Sequence, residues 1–318
     1  MRMDVVTFGE AMVMFIATEI GPLHRVRCFH KALAGAEVNT AIGFARLGLK
    51  SGWVSKVGND AFGAYIIEQL QSEGVNIEQV AIDPEHPTGF QLKSKMSEGD
   101  PEVQYFRKGS AASYMHIGDF NEAYFRTARH LHMTGIPLAI SDSMREFAKH
   151  VQSFMRKEGK TISFDPNLRP SLWKSREEMI RVINEVALES DCFLPGVHEG
   201  ELLTGCADPR DIADFYLEKG VRLVVVKLGD KGAFYKCAND EGYVPSFSVL
   251  KVVDTVGAGD GFAVGVISGL LEGLPIREAV LRGNAIGALA VQSEGDSDGY
   301  PTRQQLEQFI NIREEGLA

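Results

Sequence analysis

Residues 254–265 read DTVGAGDGFAVG, and the chemistry of this stretch turns on Asp260. The aspartate directly follows Gly257, Ala258 and Gly259 and directly precedes a run of helical composition. Successive small residues before a helix let backbone N–H groups converge on an anion, and the helix dipole adds partial positive charge at the same place. Gly257, Ala258 and Gly259 are therefore suited to hold a phosphoryl group. A carboxylate beside a phosphate is awkward as a ligand but useful as a base for an incoming hydroxyl. That combination is the chemistry of phosphoryl transfer to an alcohol. The competing reading is an ordinary N-terminal helix acid, stabilised by roughly 0.3–1 kcal/mol from the dipole.

Other motifs fail on spacing. The glycines at 257, 259 and 261 do not make GxGxxG, because the required last positions are Phe262 and Val264, and the stretch lies far from the first strand. GKT at 159–161 lacks the P-loop's leading glycine, whose place is taken by Phe154. DSDG at 296–299 lacks the further acids of a calcium loop. His130 and His132 alternate on an expected strand without further metal ligands, which reads as core or surface histidine.

The elements that position Asp260 come from a long α/β chain. Its 318 residues are 44% hydrophobic, enough for a substantial core, and 33 basic against 43 acidic residues give a net charge of −10. That balance disfavours a broad nucleic-acid or anionic-membrane surface. Four scattered cysteines, Cys28, Cys192, Cys206 and Cys237, form no CxxC pair and read as reduced buried thiols. The apolar N-terminus is interrupted by Asp4 and Glu10 and reads as two strands, not an export signal. No apolar run approaches the roughly 20 residues of a membrane helix. A cytoplasmic enzyme is expected.

Along the chain, DVVTFG is a strand ending at Gly9, and AMVMFIA and VRCFHKALA are strands flanking the turn at Gly21 and Pro22. The spacing of Val38, Ala41, Ile42 and Ala45 predicts a helix from Glu37 to Leu47 stopped by Gly48. A strand, SGWVSKVG, and a second helix closed by Gly74 follow, so the rhythm is that of an α/β fold. It breaks between about Pro84 and Tyr114, where PTGFQLKSKM and EVQYFRKGS flank a Gly-Asp-Pro turn and predict a β-hairpin over the core. Alternation then resumes through HLHMTGI, a helix 141–158, TISFDPN, a helix near 175–188, SDCFLPG and RLVVVKLG, whose LVVVKL suits an interior parallel strand. Two adjacent helices rich in small residues follow, suited to close packing.

Two separated stretches, AGAEVNTAIGFARLGLKSGWVSKVGNDAFGAYIIEQLQSEGV and DTVGAGDGFAVG, resemble the ribokinase-like, or PfkB-type, carbohydrate kinases in order and spacing over nearly the whole chain. Ala34 departs from the family's Gly-Gly pair. The resemblance implies one doubly wound α/β domain over 1–318, with a mostly parallel sheet, flanking helices and a small β-sheet lid from about 11–34 and 86–114. It implies ATP and Mg²⁺ as cofactors, a monovalent cation near Asp254, a homo-oligomer, and Asp260 as catalytic base beside Gly257, Ala258 and Gly259.

Within that family, YFRKGSAAS, FDPNLRPSLW and SEGDSDGYP look most like 2-keto-3-deoxygluconate kinases. The resemblance implies that Gly35, Ala36, Glu37, Val38 and Asn39 line the sugar, that Tyr105 and Arg107 reach down from the lid, and that Arg169 and Asp296 complete the pocket. Phe90 stands there where a tyrosine is common. A guanidinium suits a sugar acid because it binds a carboxylate through two parallel N–H bonds. Without the resemblance, Arg107 reads as an exposed hairpin charge and Arg169 as a solvated loop residue. For the nucleotide, the resemblance implies contacts from Lys227, Gly229, Asp230 and Gly232, with Asn167 near the phosphates and Asn284 near the base. Glu199 matches the acid of an Asn-x-x-Glu element that organises magnesium indirectly, but Gly196 replaces its asparagine; alternatively Glu199 is a first-turn helix acid. Fructokinase or another sugar kinase is the nearest alternative, and a non-catalytic sugar or nucleotide sensor is the alternative of another class.

Overall fold

A computed structural model describes residues 2–96 and 101–314. The first third contains β1 (Met3–Phe8), β2 (Met12–Ile20), β3 (Phe29–Ala34), α1 (Ala36–Arg46), β4 (Ser51–Gly58), α2 (Ala61–Ser72), β5 (Val80–Asp83), β6 (Phe90–Lys95) and β7 (Val103–Phe106). Next come α3 (Glu122–Thr127), β8 (Ala128–Thr134), α4 (Ile136–Ile140), α5 (Asp142–Lys157), β9 (Thr161–Asp165), α6 (Arg176–Leu188), β10 (Cys192–Phe193), α7 (Val197–Thr204) and α8 (Pro209–Leu217). The chain closes with β11 (Leu223–Lys227), β12 (Ala233–Cys237), β13 (Glu241–Val244), α9 (Ala258–Leu271), α10 (Ile276–Ala290) and α11 (Arg303–Glu314).

Nine strands form one sheet in the order β13-β12-β11-β10-β9-β8-β1-β4-β5. From β11 to β5 every pairing is parallel, and the β12–β13 hairpin is added antiparallel at one edge. The LVVVKL run is interior as expected, but it is parallel only to β10 and antiparallel to β12. Chain order runs outward from β1 to β4 and β5, then returns to β8 and proceeds the other way. The reversal between β1 and β8 is a topological switch point, where open α/β sheets bind ligands at their carboxyl ends.

Apolar residues on both faces cover the sheet with helices. One core joins Phe8, Leu131 and Phe164 of the sheet to Phe147 of α5, Val182 of α6 and Ile212 of α8. The opposite face packs Val5, Val225 and Tyr235 against Phe44 of α1, Val264 of α9 and Ile286 of α10. His130 and His132 are buried in the sheet and share the Ser163 hydroxyl at 2.7 and 2.8 Å; burial lowers both imidazoles to about 3, so they are neutral core polar groups. Of the four cysteines, all free, only Cys192 is buried, while Cys28 is exposed, because its neighbours on the small sheet's edge leave it uncovered.

The second sheet has the order β3-β2-β6-β7 and contains both the first two-strand segment and the expected hairpin. Gly99 and Asp100 of the expected turn lie outside the described residues. No helix among the described residues is long and apolar enough to cross a membrane.

The helix that carries Asp260 is fixed by close packing on its neighbour. A Cβ on Gly265 of α9 would stand 2.5 Å from the Cα and N of Gly283 on α10, so backbone meets backbone at this crossing. Gly265→Ala should therefore destabilise the protein by about 1–3 kcal/mol through overpacking, read as a lower urea midpoint at unchanged m. Helix propensity alone favours alanine over glycine by roughly 1 kcal/mol. A stabilised Gly265→Ala protein would contradict this account of the α9–α10 contact.

Candidate active site

Asp260 is not a cap. Gly257 occupies the N-cap of α9, at φ 83°, and no side chain caps this helix. The left-handed conformation and the missing side chain are both required there, because a Cβ on Gly257 would lie 1.9 Å from the carbonyl oxygen of Asp296. Some other helices close their N-termini with a side chain, Asp60 on α2, Ser141 on α5 and Ser175 on α6, while α1 and α10 also lack one. In the first turn of α9 the Ala258 N–H bonds the Thr255 carbonyl at 3.3 Å, and the Gly259 and Asp260 N–H groups remain for an outside acceptor.

The Asp260 carboxylate points away from its own helix toward two asparagines. Asn39 Nδ2 donates to Oδ2 at 2.9 Å and Asn167 Nδ2 donates to Oδ1 at 3.2 Å. Burial raises this carboxyl to about 7; the Asn39 bond and Arg169 oppose the rise, and Asp165 and Asp296 add to it. Asn167 is the one non-glycine among the described residues with positive φ, at 37°, a conformation asparagine tolerates better than most. Its N–H is held at 3.1 Å by Asp165 Oδ1, at the end of β9.

Two cavities meet at the α9 N-terminus. One, of about 340 Å³, lies between the two sheets and is lined by Gly35, Ala36, Asn39, Tyr105, Arg107, Asn167, Arg169, Gly257, Gly259, Asp260 and Asp296. The other, of about 660 Å³, is lined by Lys227, Gly229, Asp230, Gly232, Ala258, Gly259 and Asn284, with Phe247, Val249 and Val252 forming an apolar wall. Gly259 lines both cavities.

Three expected sugar-side residues do not face the smaller cavity. A helix turns about 100° per residue, so Gly35 to Asn39 cannot share one face. Val38 packs in the core beneath α1, and Glu37 points under Gly9, where one carboxylate oxygen accepts from Thr134 Oγ1. Burial raises the Glu37 carboxyl to about 7. Phe90 lies on the opposite face of its strand, stacked on Phe106 at 4.6 Å, because side chains alternate along β6 and the cavity takes Gln91 and Lys93.

Arg107 is not an exposed hairpin charge: its side chain is 10% exposed and ion-paired with buried Glu10. Tyr105 lines the cavity while remaining 49% exposed. Arg169, half-buried, bonds the Leu168 carbonyl at 2.9 Å through one nitrogen.

On the nucleotide side, Lys227 Nζ pairs with Asp165 Oδ2 at 2.6 Å. Burial alone would lower this ammonium, but Asp165, Glu199 and Asp260 outweigh it and hold its pKa above the ordinary lysine value. Asn284, which lines the larger cavity, donates to the carbonyls of Val244 and Pro245, both at 3.0 Å, which fixes the loop beside that cavity. Glu199 matches its helix-acid reading in geometry. It accepts from Gly196 N at 2.7 Å as a first-turn acid of α7, and from Leu168 N at 2.8 Å it holds the Asn167 segment. With both oxygens committed to backbone, Glu199 fits indirect organisation of a metal. Among the described residues no three His, Cys, Asp or Glu side chains converge as a metal site, so a Mg²⁺ here would depend on phosphate oxygens and water for most of its ligands.

Sequence reasoning missed Glu10, Gln91, Lys93 and Asp165. For Gln91 and Lys93 the signal was available: FQLKSK places polar side chains at alternate positions of a strand whose partner carries Tyr105 inward. Glu10 sits just beyond the end of β1 and Asp165 is the last residue of β9, at the carboxyl ends of the strands, a position that marks ligand sites in this class of sheet.

Comparison with known proteins agrees with this geometry. The model of the pfkB family of carbohydrate kinases matches residues 2–303. The chain is 55% identical over 314 residues to a 2-dehydro-3-deoxygluconokinase from Bacillus subtilis (strain 168), covering 98% of this chain and 97% of that one. The crystal structure of a PfkB protein from Polaromonas sp. JS666 superposes with a TM-score of 0.90 at 49% identity, over 96% of this chain and 99% of that chain. A candidate ribokinase II from E. coli, in complex with ATP and Mg²⁺, superposes with a TM-score of 0.91 at 31% identity, over 97% of this chain and 99% of that chain. An uncapped helix N-terminus, a buried carboxylate in the smaller of two adjoining cavities and a match over nearly the whole chain lead to one assignment: this protein belongs to the pfkB family of carbohydrate kinases.

Proposed function

We propose that the protein transfers the γ-phosphoryl group of ATP to the terminal hydroxyl of 2-keto-3-deoxygluconate. The observation that carries this reading is the Asp260 carboxylate, buried, raised to about 7 and lining the smaller cavity next to Gly259, which lines both. The smaller cavity would hold the sugar acid and the larger one ATP. Asp260 accepts the hydroxyl proton, the substrate oxygen bonds to the γ-phosphorus in line, and the bond from that phosphorus to the bridging oxygen breaks to release ADP. The Gly259 and Asp260 N–H groups and the Lys227 ammonium would stabilise the charge on the transferring group. Mg²⁺, when bound, neutralises phosphate oxygens. The small sheet acts as a lid that excludes water during transfer.

The sugar-acid reading rests on Arg107 and Arg169 in the cavity wall and on the name of the Bacillus subtilis relative. Four free thiols support a reducing, cytoplasmic compartment. Exposed Ile20, Met96 and Phe106 on the small sheet support the expected homo-oligomer. The monovalent cation expected near Asp254 has a competitor in the chain itself, taken up below.

Asp260→Asn keeps the shape and removes the base. Turnover should fall by at least about 10²-fold while ATP binding, measured by calorimetry, persists; near wild-type turnover in the purified variant would refute the mechanism.

The pH profile tests the same group from another side. A base works only when ionised, so kcat/KM, which reports the free enzyme, should be lost as pH falls through about 7. Glu37, raised to about 7, and Asp296, raised to about 6, titrate nearby, with Asp165 and Arg169 also facing Asp260, so the apparent value belongs to the cluster. An acid limb near ~4, the ordinary aspartate value, would contradict the reading.

Specificity is tested by Arg169→Lys, which keeps the charge but replaces a planar fork with a point donor. Loss of roughly 1–3 kcal/mol in kcat/KM is expected on 2-keto-3-deoxygluconate, with a much smaller change on fructose, which lacks the carboxylate. Equal loss on both, or a wild-type preference for fructose, would overturn the sugar-acid assignment and leave the kinase assignment in place.

A further inference from the structure

Lys93 lines the smaller cavity but takes no part in the transfer step, and it is among the most buried charges of the small sheet. Its side chain is 3% exposed; Nζ ion-pairs with the Asp254 carboxylate and lies 3.5 Å from Asp296 Oδ1, those side chains being 7% and 5% exposed. The same ammonium is 3.5 Å from the carbonyl oxygen of Glu294. These partners belong to the two segments that frame the anion-binding turn. Asp254 begins the approach to Gly257, and its other carboxylate oxygen accepts the Val256 N–H at 3.0 Å. Asp296 belongs to the loop whose carbonyl packs against the bare Cα of Gly257. One cation therefore ties β6 of the small sheet to both walls of the phosphate site.

A monovalent metal ion near Asp254 does not fit these residues as they stand. The carboxylate it would use already pairs with an ammonium, and a second cation at that place would meet like-charge repulsion in a desolvated setting. Without any cation, Asp254 and Asp296 would face each other as buried like charges. The site needs one positive charge and has one covalently attached.

We infer that the Lys93 ammonium serves as a built-in cation, taking the place of an exchangeable monovalent ion at Asp254 and linking the position of the small sheet to the geometry of the 254–257 turn. This rests on the sugar-kinase reading of the site. It makes Lys93 a positioning residue, acting on the transferring phosphoryl group through Asp254 and the turn.

The test compares wild type and Lys93→Met in potassium chloride, ammonium chloride and tetramethylammonium chloride at equal ionic strength. Wild-type kcat/KM should change by less than about twofold among the salts, whereas Lys93→Met should lose at least about fivefold in tetramethylammonium, the lower edge of coupling between sites. Potassium or ammonium should recover the loss in the variant. A melting-temperature series in the same salts gives a reading independent of turnover: a potassium-specific rise is expected for Lys93→Met and none for wild type. Wild-type activity or melting that depends on potassium overturns the inference, and that arm stands even where the variant does not fold. A folded Lys93→Met protein with unchanged activity in every salt, or with a loss that no cation recovers, overturns it as well. Failure of the kinase reading itself would show separately, as wild-type protein inactive on sugars in all salts with its melting behaviour unaffected.

Discussion

A carboxylate kept out of water at the open end of a helix is the constraint on which the rest of this structure depends. Asp260 is buried and meets no cationic side chain directly; its oxygens accept from the amides of Asn39 and Asn167. Neutral donors stabilise the anion less than an ion pair would, so desolvation prevails and the group is held near neutrality as a proton acceptor. Each donor requires its own support. Asn39 is delivered by α1 from one side of the switch point, and Asn167 by a strained turn at the end of β9, braced by Asp165 and Glu199. The doubly wound sheet is the device that brings α1, the end of β9 and the first turn of α9 to one point.

Cations are kept at one remove from that carboxylate, each with a carboxylate of its own. Lys227 is paired with Asp165, Arg107 with Glu10, and Lys93 with Asp254 and Asp296. A bare cluster of buried positive charge would be costly, and pairing makes each cation tolerable before ligands arrive. The cavity can thus receive an anionic sugar and a polyphosphate while the free protein remains close to local neutrality. In the proposed mechanism the two sheets divide the work: the large one positions the proposed base and the turn that would face phosphate, and the small one presents Tyr105, Arg107 and Lys93 to the same cavity.

Much of this was legible in the sequence because it depends on short-range rules. Alternation announces the β6–β7 hairpin, the small-residue helices announce the close α9–α10 contact, and the small residues 257–259, which form the N-cap and first turn of α9, mark the place proposed for an anion. Reading Gly35 to Asn39 as one continuous lining ignored the rotation of α1, which turns Glu37 and Val38 into the core. Phe90 was misplaced for the corresponding reason in a strand, one residue being a change of face. Lys93 was not legible as a partner of Asp254 and Asp296, since nothing local connects a lid strand to loops more than half a chain away. Glu199 carried two readings from sequence, and the geometry matches the helix-acid one.

The central claim is that burial, opposed only by neutral amide donors and a more distant Arg169, holds the Asp260 carboxyl ready to accept a proton. The most direct measurement is a carbon-13 NMR titration of the aspartate carboxyl carbons in the ligand-free protein, with the Asp260 signal assigned by its loss in Asp260→Asn. The account predicts a carboxyl that titrates at about 7. A signal that titrates near ~4, as an ordinary exposed aspartate does, would contradict it.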